Sequence, residues 1–244
     1  MTSPTFVLGG ELTVSRLGFG AMRIVEDPGQ APLVLRRALE LGVNLIDTAD
    51  IYGTGRSEEL IADALHPYPD GLVIATKGGL GGGFQERQRD ARPERLRRAC
   101  DESLRRLRLD RIDLYQLHRH DPEVPIEESV GALEELRSEG KIRLIGLSNV
   151  SVGQLRAAQS AAPIASVQNQ YNRGLLSSDE ELAACEADGI AFFPWEPLGE
   201  GLGDPAAEIR WLLDRSPVVL PIPGTSKVEH LEANMAALDV VEQS

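Results

Sequence analysis

Residues 44–55, NLIDTADIYGTG, run from an apolar stretch, Asn44-Leu45-Ile46, through a carboxylate at Asp47 and a phenol at Tyr52 to the turn residues Gly53-Thr54-Gly55. The apolar start reads as a buried strand. Asp47 and Tyr52 then fall just past its carboxyl end, where α/β proteins place their reactive groups. On its own, the stretch is equally well explained by Asp47 capping a turn and Tyr52 packing with its hydroxyl in water. The flanking sequence separates the two readings.

Outward from that stretch, the chain alternates short apolar runs with amphipathic ones. A Gly9-Gly10 turn between Phe6-Val7-Leu8 and residues 11–14 predicts an N-terminal β-hairpin. Eight strand-then-helix units follow. The strands are expected at 16–22, 44–47, 72–77, 112–117, 142–147, 165–168, 191–195 and 218–222. The helices are expected at 33–41, 57–65, 93–107, 126–138, 152–160, 179–187, 206–215 and 228–238. Ser57-Glu58-Glu59 suits a helix start, Ser151 an N-cap, and Gly42, Gly140 and Gly189 suit helix stops. The strands are apolar on both parities, as parallel strands covered on both faces are. Eight units in 244 residues close most economically into a (β/α)8 TIM barrel with an N-terminal hairpin, one domain over 1–244. An open doubly wound sheet is the other candidate, but Gly18 and Gly20 do not form the GxGxxG turn it would use. The glycine- and arginine-rich connection 78–92 reads as a lid or rim over the site, or as an ordinary solvated loop.

Composition narrows the function. A hydrophobic share of 42% and a charged share of 26% describe a globular chain, and a net charge of −13 opposes nucleic-acid binding. The two cysteines, Cys100 and Cys185, form no disulfide framework or metal pattern. The amino terminus lacks a basic start and a long apolar run, so no signal peptide and no membrane attachment are expected; a reducing cytoplasm is the expected location.

Two further strand ends bear on chemistry. The third strand ends in Thr76-Lys77 and the fourth in Leu117-His118. A lysine after Val73-Ile74-Ala75 needs a counter-ion if the barrel packs, and Asp47 lies one strand away. Asp47, Tyr52, Lys77 and His118 are therefore expected at one mouth. There the ammonium would favour the phenolate form of Tyr52, the carboxylate would hold the ammonium, and the imidazole would orient a carbonyl oxygen. Such a set suits proton delivery to a carbonyl as hydride reaches its carbon.

The chain resembles the aldo-keto reductases, a (β/α)8 family that reduces aldehydes and ketones with a nicotinamide cofactor. The resemblance rests on NLIDTADIYG, IATKGG, RIDLYQLH, KIRLIGLSN, SVQNQYN, PWEPLG and PIPGTSKVEHLEAN, in that order. It implies a catalytic set of Asp47, Tyr52, Lys77 and His118, with Tyr52 as proton donor. It also implies that Ser148, Asn149 and Gln168 hold the nicotinamide carboxamide and that Trp195 stacks on the ring. Gly20, Ala21 and Met22 at the end of the first strand, and Pro197, Leu198 and Gly199 after the seventh, complete that end. Gly224, Thr225, Ser226 and Lys227 would take the 2′-phosphate of NADPH at a helix start, with His230 and Asn234 beside it. The chain departs from the family in four places. His230 stands for a frequent arginine, Ala233 for a frequent glutamate, the 197–210 connection is short, and the chain stops soon after the last helix; within that connection Glu200 and Asp204 would repel the cofactor phosphates. NADPH (NADP+) is expected, NADH less so. The expected partner is a small-molecule carbonyl substrate, and the chain is expected as a monomer or weak homo-oligomer.

Three other readings share these residues. His118-Arg119-His120-Asp121 contains an HxH that could ligate zinc in a hydrolase, although only His66 and His230 remain as further histidines. Lys77 could act as an aldolase Schiff-base nucleophile, which a neighbouring Asp47 would oppose. The barrel could also be an NADP(H)-binding sensor or scaffold with weak or no catalysis.

Overall fold

The computed structural model describes residues 4–81, 88–199, 201 and 203–239. Strands β1 (Thr5–Leu8) and β2 (Leu12–Ser15) pair antiparallel as the predicted hairpin, with Gly9 and Gly10 at positive φ in the turn. A second, seven-stranded sheet is parallel throughout. It contains β3 (Phe19–Gly20), β4 (Leu45–Asp47), β5 (Val73–Gly78), β8 (Ile112–Leu117), β9 (Ile142–Ser148), β10 (Ser166–Gln168) and β11 (Ala191–Phe192), adjacent in chain order. Between β5 and β8, β6 (Leu80–Gly81) and β7 (Gln88–Arg89) make a small antiparallel pair. The 78–92 connection, read as a lid or rim or as an ordinary solvated loop, contains this pair; residues 82–87 lie outside the described residues.

Helices α1 (Ala31–Glu40), α2 (Arg56–Leu65), α3 (Pro93–Leu107), α4 (Ile126–Ser138), α5 (Val152–Ala161), α6 (Asp179–Asp188), α7 (Pro205–Arg215) and α8 (Val228–Asp239) surround the sheet. Their starts have local causes. Ser151 and Gln154 form a capping box at α5, and the Asp204 carboxylate accepts the Ala206 N–H at α7. Gly189 ends α6 in the left-handed region.

The curled sheet closes through residues 218–224, where the sequence predicts an eighth strand. No regular strand forms there. Pro221 and Pro223 have no N–H to donate, so only their carbonyls bond, to the N–H groups of Gly18 (3.0 Å) and Gly20 (3.1 Å). On the other side Phe192 N–H reaches Val218 O and Leu220 N–H reaches Phe192 O, both at 2.8 Å. The first predicted strand, 16–22, is also shorter than expected. Its ladder ends at Gly20, and Ala21–Val25 turns into a 3-10 helix. The seventh, 191–195, loses its ladder at Phe192, and Pro194 interrupts it, although Trp195 N–H still reaches Asn169 O at 3.0 Å. The result is a (β/α)8 barrel closed partly by proline-bearing backbone.

Its interior has two halves. Leu8 and Val14 of the hairpin plug the amino-terminal end against Leu45, Val73, Leu114, Leu144, Phe193 and Leu220. Further along the strands, on the same inward face, the side chains become polar: Asp47, Lys77, Gln116 and Ser148. The polar half opens toward the carboxyl ends of the strands.

Candidate active site

The β4 and β5 ladders bring Asp47 and Lys77 to the same end of the barrel, and both are almost completely buried. The Lys77 ammonium donates to Asp47 Oδ2 at 2.5 Å, to Thr48 O at 2.8 Å and to the Tyr52 hydroxyl at 3.3 Å. Burial works against its charge, but attraction to Asp47 and Tyr52 and the hydrogen bonds to both outweigh this, so its pKa is raised. The His118 ring meets the Tyr52 ring edge-on, with centroids 5.9 Å apart. All four residues predicted to meet do so. Asp47, Tyr52 and His118 line a cavity of about 950 Å³, with the buried Lys77 behind them.

The other predicted residues distribute along that cavity. Ser148 Oγ donates to Gln168 O (3.0 Å) and accepts from Asn149 Nδ2 (2.8 Å). Asn149 sits at φ 57, a conformation asparagine tolerates, and its Nδ2 also reaches His118 O at 3.3 Å. The Trp195 indole donates to Asn149 Oδ1 at 3.1 Å, which fixes the ring at the wall. Gln168 Nε2 donates to Asp47 Oδ1 at 2.9 Å; its Oε1 has no hydrogen-bond partner among the described residues. Gly20, Met22, Pro197, Leu198, Gly199, Gly224, Thr225, Ser226, Lys227, His230 and Asn234 also line the cavity. Ala21 does not: it is buried, and its carbonyl accepts the Ser57 hydroxyl at 2.9 Å.

Two predicted details change. Ser57 and Glu58 are buried cross-links as well as helix-start residues. Thr48 Oγ1 donates to Ser57 Oγ at 2.8 Å, and Glu58 accepts from Thr76 (2.6 Å) and Arg106 (2.6 Å). Asp204, expected to face the cofactor phosphates as a repelling charge, is engaged as the cap of α7. Glu200, given the same expectation, lies outside the described residues. Short turns, with Gly199 N–H on Glu196 O and Gly201 N–H on Leu198 O (both 3.0 Å), make up the described part of the 197–204 connection.

Gln116 is a residue the sequence reading missed. It is fully buried, and its Nε2 donates to Asp47 Oδ1 at 3.0 Å. The signal was available: in RIDLYQLH it is the lone amide of the strand, two residues before His118 and hence on the same face. Asp50 was missed as well. Its Oδ1 is buried without a partner among the described residues, and Arg95 stands 4.0 Å from its other oxygen. Burial, and then the nearby Glu58, push its carboxyl pKa up to about 7, against the pull of Arg95, Arg106 and the Ile51 N–H. A carboxyl whose folded pKa is raised favours the folded state below its ordinary range, and that contribution is lost as pH rises through about 7. Asp50→Asn is therefore expected to raise the melting temperature at pH 8 by several degrees and to leave it nearly unchanged at pH 4.5. The corresponding upper bound is about 4 kcal/mol. Scanning calorimetry at both pH values checks this; equal shifts at both would contradict it.

The rival readings fare differently. Asp121 is occupied by the N–H groups of Glu123 (3.0 Å) and Ala91 (3.4 Å), and among the described residues no three His, Cys, Asp or Glu side chains gather as metal ligands. Lys77 is held as an ammonium, which opposes Schiff-base formation.

The cavity's donor set fits a dinucleotide: a fixed aromatic and an amide oxygen near Asp47, and a lysine at a helix start farther along. Comparison with known proteins agrees. The model of the aldo/keto reductase family matches residues 16–208. Pyridoxine 4-dehydrogenase of Escherichia coli (strain K12) is 41% identical over 97% of this chain and 93% of its own. That alignment spans 268 positions, more than the 244 residues of this chain, so this chain is internally shorter. The glycerol dehydrogenase of Gluconobacter oxydans superposes with a TM-score of 0.89 at 29% identity, over 98% of this chain and 91% of that one. An aldo/keto reductase of Klebsiella pneumoniae in complex with NADP and acetate gives 0.82 at 28% identity, over 97% and 90%.

Proposed function

The chain belongs to the aldo-keto reductase family, whose members are oxidoreductases, and we propose that it reduces aldehydes or ketones to alcohols with NADPH, Tyr52 giving the proton. One observation carries the reading: a fully buried ammonium, Lys77, touches both Asp47 and the cavity-lining Tyr52 hydroxyl. Burying such a charge is costly unless it is paired, as Lys77 is with Asp47, and its position makes phenolate formation at Tyr52 more favourable as the proton leaves. His118 then orients the substrate oxygen against the phenol. When bound, the reduced nicotinamide supplies hydride to the carbonyl carbon. Gln168 and Asn149 would hold its carboxamide and Trp195 its ring, with Ser148 locking both in place.

NADPH over NADH rests on Thr225, Ser226 and Lys227 at the start of α8. Thr225 Oγ1 accepts the Lys227 N–H at 3.0 Å, which shapes the turn, and Lys227 has no ion pair among the described residues. His230 also lines the cavity, and an imidazole offers a phosphate fewer donors than the planar guanidinium of an arginine would. We take residues 1–244 as one domain acting in the cytoplasm as a monomer or weak oligomer; no helix among the described residues is long and apolar enough to cross a membrane.

Oxidation of NADPH followed at 340 nm against aldehydes, ketones and quinones tests the function. Two relatives are named for the alcohols pyridoxine and glycerol, so the carbonyl forms of both join the panel. Turnover with at least one carbonyl is expected, and binding of NADPH without turnover across the panel would contradict it. Because the 197–204 connection is short and the phosphate hold is exposed, cofactor affinity should fall visibly between about 50 mM and about 500 mM salt. Stopped-flow quenching of tryptophan fluorescence should show one fast phase. A slow second phase would mean that a loop closes over the cofactor.

A further inference from the structure

We infer that Gln116 is a positioning residue for the proton donor, holding the Asp47 carboxylate in place whether or not the cofactor is bound; this rests on the proposed roles of Asp47, Lys77 and Tyr52. Asp47 Oδ2 is committed to Lys77. Its Oδ1 takes two amide donors, Gln168 at 2.9 Å and Gln116 at 3.0 Å. These two differ in what else they meet. Gln168 lines the cavity, so its amide is shared with whatever binds there. Gln116 lies beneath, fully buried, and its other side-chain hydrogen bond among the described residues is to Ser166 Oγ at a long 3.5 Å.

The barrel is built around this amide. The strand register sets Lys77, Gln116, Gly146 and Ser166 side by side in one layer. A Cβ at position 146 would lie 2.8 Å from the Gln116 Cγ and 2.2 Å from Ser166 Oγ, so glycine there leaves the space the glutamine occupies. The amide orientation follows from its partner, since only an N–H can face a carboxylate. The charged and titratable groups around Gln116 are Asp47 on β4, Lys77 on β5 and His118 just past its own strand, with Tyr52 reached through Lys77; β9 and β10 present only Gly146, Ser148, Ser166 and Gln168. Without Gln116, an Asp47 whose second donor is drawn to the cofactor would be free to rotate. Lys77 would then lose its fixed position against the phenol.

Two variants test this. Gln116→Met keeps the volume and removes the donor. It should lower kcat about ten- to hundredfold while leaving the NADPH dissociation constant unchanged. Gln116→Glu keeps the shape and makes the donor conditional. Protonated, its O–H serves Asp47; ionised, it places a second carboxylate against it. Its kcat should approach wild type near pH 5.5 and fall as pH rises. Its melting temperature relative to wild type should fall over the same range, because a carboxyl held protonated by the fold stabilises it less as pH rises. Unfolding of Gln116→Glu only at high pH is the same result. A Gln116→Glu profile parallel to wild type, a Gln116→Met kcat equal to wild type, or pH-independent loss of folding in Gln116→Glu would overturn the inference. Tyr52→Phe is run beside them. If it keeps full turnover, the reading of the site fails; if it is inactive while both Gln116 variants behave as wild type, only this inference fails.

Discussion

Tyr52→Phe is expected to lower kcat by roughly 10²–10⁴-fold and to leave NADPH binding within a factor of about two, the loss that follows when a positioned general acid is removed. The substitution deletes one oxygen. That oxygen receives the Lys77 ammonium at 3.3 Å and stands in the cavity wall beside His118. The groups proposed to hold the nicotinamide, Asn149, Gln168 and Trp195, are fixed by bonds to His118 O, to Asp47 and to one another. Those bonds survive the loss of the phenol oxygen. Binding and chemistry should therefore separate: the loss lies in kcat, not in cofactor affinity. Steady-state kinetics with the best carbonyl, together with a fluorescence titration of NADPH, reads both. A variant that keeps wild-type kcat with chemistry rate-limiting would remove Tyr52 from its role.

Lys77→Met is expected to destabilise the fold by about 3–5 kcal/mol and to move the pH dependence of reduction, because it strands a buried carboxylate. Asp47 would keep its two amide donors, Gln116 and Gln168, but lose the cation paired with it. The carboxylate then takes up a proton more readily in the fold than in the unfolded chain. The variant should accordingly be least stable, relative to wild type, at neutral and higher pH, and should recover part of the loss toward pH 4. The apparent pKa governing carbonyl reduction should rise at the same time, since the phenolate loses its ammonium. Denaturant unfolding from pH 4 to 8, paired with rate profiles, checks both. An unchanged midpoint and profile would mean that the 2.5 Å contact contributes nothing.

Much of this was legible in the sequence because strand ends carry the information. Period-2 alternation puts Asp47 after Leu45, Lys77 after Val73 and Ala75, and His118 after Leu114, all inward, so one linear pattern suffices to gather the reactive groups at one mouth. Less legible were features decided across strands. Gln116 is inward by the same alternation, but its bond to Asp47 depends on the stagger of β4, β5 and β8, which no single stretch encodes. Asp50, three residues past Asp47, looks like one more loop carboxylate. Only the packing of α2 and α3 behind it, with Glu58, Arg95 and Arg106, makes it a buried one. The predicted eighth strand failed for a local reason. Val218–Ile222 has a strand's apolar pattern, but Pro221 and Pro223 remove the donors a ladder needs. Ser57-Glu58-Glu59 matched a helix-start pattern, yet a left-handed Gly55 begins the helix and frees Ser57 and Glu58 to bond elsewhere.

In the proposed reaction, hydride passes in this cavity from a nicotinamide to a carbonyl carbon while Tyr52 protonates the oxygen. Reduction of the best carbonyl with NADPH deuterated at C4 of the nicotinamide, followed by mass spectrometry of the alcohol, tests it most directly. One deuterium is expected on the carbinol carbon of the product from the wild-type enzyme, and little or no product from Tyr52→Phe. An alcohol formed without deuterium from either C4-labelled epimer, or labelled product formed equally fast by Tyr52→Phe, would contradict it.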